Sequence, residues 1–136
     1  MKYEKVHTVN DYWDGPLIGV ADYKGKPHRF ELIFDENEDD YSTEYELQQI
    51  SETEFKLIIQ SWNLWIKWKN KKDRTKDEQN SHPVLPEDRK EYEKIVAKLK
   101  VLTETNKFPI FKVKGYFNRI GPEHHDFEVH WSIDNN

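Results

Sequence analysis

The residues best suited to chemistry gather near the N-terminus, in DYWDGPLIGVADYKGKPHRFE, Asp11 to Glu31. Tyr12, Trp13 and Asp14 come just before Gly15-Pro16. Asp-Gly-Pro breaks both helix and strand, so a loop is expected to hold them in the open. His28 and Glu31 follow at the far end of the stretch. An acid and a histidine brought together can pass a proton, which is general acid–base work, and neighbouring aromatics can wall a ligand. Tyr12, Trp13, Asp14, His28 and Glu31 are therefore the candidate ligand-binding residues. No activated serine or threonine stands beside them, and the chain has neither G-x-S-x-G nor a phosphate-cradling glycine loop. No residue is assigned a catalytic role. The same side chains have a plainer reading: Asp14 caps a turn, and His28 is buried and hydrogen-bonded.

Three further groupings have chemical potential. In DENEDDYSTEYE, Asp35, Asn37, Asp39 and Glu46 fall on positions one, three, five and twelve of a calcium loop, where carboxylates supply hard oxygen ligands. Asp40 stands where a glycine should make the sharp turn, and the flanks read as strands, so the plainer reading is a solvated acidic hairpin loop. His124, His125 and His130, with Asp126 and Glu128, offer nitrogen and oxygen donors for a metal. Adjacent loop histidines point apart, however, and no H-x-x-x-H pair exists. In WNLWIKWKNKKDRTK, basic residues lie among tryptophans, as in a single-strand nucleic-acid groove. These tryptophans fall on apolar helical faces, and the net charge of −5 repels phosphate. No metal, no other cofactor and no nucleic-acid partner is expected.

These residues must be positioned by a small chain. Its 136 residues suit one domain, and aromatics at 14% supply apolar area that hydrophobic residues at 35% would otherwise lack. Cysteine is absent, which removes disulfides and thiol chemistry. The N-terminus lacks the apolar core of a signal peptide, and no apolar run is long enough to span a membrane, so a cytoplasmic protein is expected. Charge is uneven: Asp35 to Glu46 holds acids and no base, whereas Lys67 to Lys76 holds bases and a single acid, Asp73.

Strands are expected at 1–9, 17–23, 26–34 and 41–50, helices at 51–72 and 86–106, and strands at 108–120 and 126–133. A charged linker, 73–85, separates the helices. Lys24-Gly25 makes a two-residue hairpin turn that sets Ala21 opposite His28, Gly19 opposite Phe30 and Leu17 opposite Leu32. Phe127, Val129, Trp131 and Ile133 alternate with polar residues, one face in and one out. The expected fold is one α+β domain over 1–136, an antiparallel sheet of five to six strands with two helices packed on one face, in the order β-β-β-β-α-α-β-β.

The first helix carries the functional expectation. Phe55, Ile58, Ile59, Trp62, Trp65 and Ile66 form a stripe at helical spacing, and Leu57, Leu64 and Trp68 lie roughly opposite. A helix apolar on two sides needs cover on two sides. Leu57, Leu64 and Trp68 are thus candidate contacts for a protein partner or a second copy of the chain. The expected function is that of a non-enzymatic binding or accessory factor of an immunity-like kind. The alternative is a small-ligand binder or enzyme using Tyr12, Trp13, Asp14, His28 and Glu31.

The N-terminal stretch also resembles a motif of small uncharacterised bacterial proteins: D-Y-x-D-G-P, then G-x-A, then G-x-P-H and an aromatic-Glu pair. Here these are Asp11, Tyr12, Asp14, Gly15, Pro16, Gly19, Ala21, Gly25, Pro27, His28, Phe30 and Glu31. The similarity reaches through LWIKW. It implies a bacterial, cytosolic setting and carries over no functional residue.

Overall fold

The computed structural model describes residues 2–12, 15–35, 40–71 and 84–132. The fold is α+β, with six antiparallel strands and two helices in the expected order. The chain divides into two compact units, Met1–Ser51 with Lys107–Asn136, and Glu52–Asn106.

The first unit contains β1 (Glu4–Tyr12), β2 (Pro16–Tyr23), β3 (Lys26–Asp35), β4 (Asp40–Gln49), β5 (Ile110–Arg119) and β6 (Phe127–Ser132). Each strand pairs with the next, and β1 pairs back onto β6 through Glu4–Val129 and Lys5–Glu128, closing the sheet into a barrel. Closure gives the sheet an inside that its own side chains can fill. The β2–β3 hairpin turns at Lys24 (φ 54°) and Gly25 (φ 80°), the paired left-handed conformations that match strand twist. Gly19–Phe30 and Ala21–His28 pair as expected, and the ladder ends at Ile18–Glu31, one step short of Leu17–Leu32.

Alternation decides which residues enter the barrel. Phe127, Val129 and Trp131 on β6, Tyr45 and Leu47 on β4, and Phe30 on β3 are buried in one cluster. Two glycines admit the rings. A Cβ on Gly115 would lie 2.5 Å from Trp131 and 2.9 Å from Tyr45, and one on Gly19 would lie 2.8 Å from Phe30. Phe30, Tyr45, Phe117 and Trp131 then meet edge-to-face or tilted, with centroids 5.3–6.1 Å apart.

The second unit contains α1 (Glu52–Lys69), a single 3-10 turn (Pro86–Asp88) and α2 (Arg89–Thr105). Thr103 Oγ1 donates to Glu54 Oε2 at 3.4 Å, and Lys67 Nζ lies 3.1 Å from Asp88 Oδ2. An early α1 residue thus meets a late α2 residue and the reverse, so the helices run antiparallel. Ile95 is buried and Leu99 and Leu102 are half-buried, forming the main apolar stripe of α2, whereas Val96 beside them is 43% exposed. Most of the linker, 73–83, lies outside the described residues; Val84 and Leu85 at its end are buried. Among the described residues no helix is long and apolar enough to cross a membrane.

Candidate functional site

The barrel interior is occupied by protein, and its polar groups are spent on the fold. Thr8 Oγ1 accepts from Val20 N at 3.0 Å and donates to Asn10 Oδ1 at 2.9 Å. Trp131 Nε1 donates to the Asp22 carbonyl at 2.9 Å. Tyr45 OH donates to the Pro16 carbonyl at 2.9 Å. Burial pushes the Tyr45 phenol well above its ordinary value, so it remains a donor.

Among the described residues, the N-terminal candidates Tyr12, His28 and Glu31 do not converge. Tyr12 ends β1 opposite Pro16 instead of standing in a loop, because the strand continues through irregular register shifts as far as Tyr12. His28 pairs with Ala21. Pro16 and Ala21 are five strand steps apart, about 17 Å, so Tyr12 and His28 occupy opposite ends of the barrel. Glu31 is exposed, cross-strand from Glu46 on the barrel's outer wall. Trp13 and Asp14 lie outside the described residues.

His28 is 4% exposed. Its Nδ1 is 2.8 Å from the Lys26 carbonyl and so carries the proton, while Tyr23 and Phe111 pack on the ring at 5.2 and 5.8 Å. Burial lowers its pKa from 6.5, partly offset by that carbonyl and by Glu4 and Asp22, so the ring is neutral at pH 7.

At the other end Tyr12 stacks on His124, centroids 4.7 Å apart and planes 3° from parallel. Arg119, absent from the sequence-based candidates, donates from Nη2 to Tyr12 OH at 3.1 Å and from Nη1 to the Glu123 and Gly121 carbonyls at 2.7 and 3.3 Å. Its guanidinium lies 4.8 Å above the Phe127 ring. These contacts tie the β5–β6 connection to the end of β1. Only a non-local contact links Arg119 to Tyr12, so no local pattern marks it.

The metal candidates are dispersed. His125 Nε2 lies 3.7 Å from Asp126 Oδ1. His130 Nδ1 bonds the Lys2 carbonyl at 2.9 Å, and Glu128 accepts from Asn118 at 2.9 Å. Among the described residues no three such side chains gather to hold an ion. In the acidic segment, Asp35 and Asp40 pair at the mouth of the β3–β4 hairpin; Asn37 and Asp39 lie outside the described residues. Glu46 faces Lys112 across β5 as well as Glu31 across β3.

No family model, curated protein or solved structure matches the chain.

The helical unit offers a different kind of surface. Leu57, Leu64 and Trp68 are each half-buried. Leu57 lines an open groove of about 450 Å³ between α1 and α2, with Thr53, Ala97, Lys98, Val101 and Leu102. Val101 is 59% exposed. Leu64 and Trp68 lie further along α1, outside the groove's lining. Ala97 and Val101 were not candidates from sequence: they sit four apart, beside rather than on the main α2 stripe. That spacing of two small apolar residues was the available signal.

Proposed function

We propose that the protein is a non-enzymatic binding factor that acts through a protein partner, with the helical unit as its contact surface and the barrel as scaffold. The observation that carries this is the open apolar groove at Leu57, Ala97, Val101 and Leu102. Apolar surface left open beside a polar rim is where partners dock. The filled barrel supports the same reading, since a small-molecule site needs a concave, half-apolar space and the rings of Phe30, Tyr45, Phe117 and Trp131 occupy the barrel's interior. The resemblance of the N-terminal motif implies only the bacterial, cytosolic setting in which an immunity-like or accessory factor would act.

A photo-crosslinking residue placed at Val101 in the full-length protein tests this. A discrete adduct with one protein in a cell extract, lost when Leu57 is changed to Asp, is the expected result. Equal adducts from a crosslinker at Tyr116, on the outer wall of β5, would contradict it. The alternative, a ligand or enzyme site at the barrel's end, has Tyr12 stacked on His124 in its favour. It gains if a metabolite raises the melting temperature of the wild type but not of Tyr12→Ala.

A further inference from the structure

The groove has a charged border as well as an apolar floor. Thr53 and Leu57 on α1, and Ala97 with Val101 and Lys98 with Leu102 on α2, are all pairs four residues apart. Its lining therefore runs along the helix axes over about one turn on each side. Lys90, Lys94 and Lys98 repeat at the same interval, so they form a row along one side of α2 that ends in the groove. At about 1.5 Å of rise per residue the row spans about 12 Å. All three are exposed, and among the described residues none carries an ion pair. By contrast, Lys67 on α1 is committed to Asp88. Glu87 and Glu91, three residues before Lys90 and Lys94, border the row toward its N-terminal end.

We infer that this groove receives an acidic amphipathic helix of a protein partner, its apolar side chains between Leu57 and Val101 and its carboxylates along Lys90, Lys94 and Lys98. This rests on the protein-binding reading and names the partner's chemistry. A helix laid beside two antiparallel helices buries its apolar face in their groove. Exposed cations at the border attract and orient a partner of opposite charge. The chain's net charge of −5 makes this local reversal of sign selective, because the rest of the surface disfavours generic acidic partners.

The test uses the full-length protein and two fluorescein-labelled synthetic peptides of 18 residues. Both carry leucine at helical a and d spacing; one is flanked by glutamates, the other by lysines. Fluorescence anisotropy should show the glutamate peptide binding at least about tenfold tighter, with an affinity that falls as salt rises. The triple variant Lys90→Glu, Lys94→Glu, Lys98→Glu should lose that preference, and Val101→Asp should lose binding of both peptides, with circular dichroism unchanged in each. Equal binding of the two peptides, binding of neither, or binding indifferent to Val101→Asp overturns the inference. So does a sedimenting dimer abolished by Val101→Asp, which would make a second copy the occupant. A failure here with a surviving crosslink at Val101 removes the acidic helix alone. Loss of both removes the protein-binding reading.

Discussion

The barrel's interior and the helical unit solve the same problem, hiding large apolar side chains, and the interior finishes it, although Ile110 at the start of β5 and Ile120 just past its end are each 62% exposed. In the barrel, Phe30, Leu47 and Val129 are at most 1% exposed, and the buried hydroxyls and indole have partners. In the helices, Phe55, Leu57, Ile58, Ile59, Trp62, Leu64, Trp65, Ile66 and Trp68 are all only half-buried, and the α1 residue that is buried is Glu54. A closed sheet satisfies its backbone and its inner face together. Two helices leave a seam on each side. The proposed partner would cover the seam at Leu57 and Val101.

The largest expected effect lies inside the barrel. Phe30→Ala removes a ring that touches Tyr45, Phe117 and Trp131, and should cost about 3–5 kcal/mol in urea denaturation. Tyr45→Phe leaves the Pro16 carbonyl without its donor and should cost about 1–3 kcal/mol. Val101→Asp, at a position 59% exposed, should move stability by no more than about 0.5 kcal/mol while changing what the protein binds. If Val101→Asp destabilised as much as Tyr45→Phe, the groove would be core and the contrast between the units would fail.

The smallest effect is a pH dependence. The folded pKa of His28 lies below its ordinary 6.5 because burial disfavours the imidazolium. Below pH 6.5 the unfolded chain therefore binds the proton more readily, and stability falls as pH drops through that window. Above it both states are neutral and the contribution is level. His28→Gln should flatten the part of the pH profile that lies below 6.5, as read from urea midpoints. An unchanged slope would place the titration elsewhere.

Local grammar made much of the barrel readable in the sequence. Phe127, Val129 and Trp131 alternate with polar residues because the pleat alternates, and Lys24-Gly25 allows a turn that few other pairs do. Closure was not readable, since Glu4–Val129 and Lys5–Glu128 join the two ends of the chain and no local pattern encodes that pairing. The separation of Tyr12 from His28 was unreadable for a related reason. Tyr12 and His28 are near in sequence, but β2 lies between them and carries them apart. In the helices, Leu57 was visible as an apolar residue off the main stripe. Its groove was not, because Ala97 and Val101 gain meaning only once α2 runs antiparallel to α1.

Amide hydrogen exchange on the full-length protein tests the difference between the two units most directly. Amides of Val20, Phe30, Leu47 and Val129 should exchange only through global unfolding, and those of residues 97–102 through a smaller, earlier opening of the helices. Protection at 97–102 equal to that of the barrel strands would contradict the account.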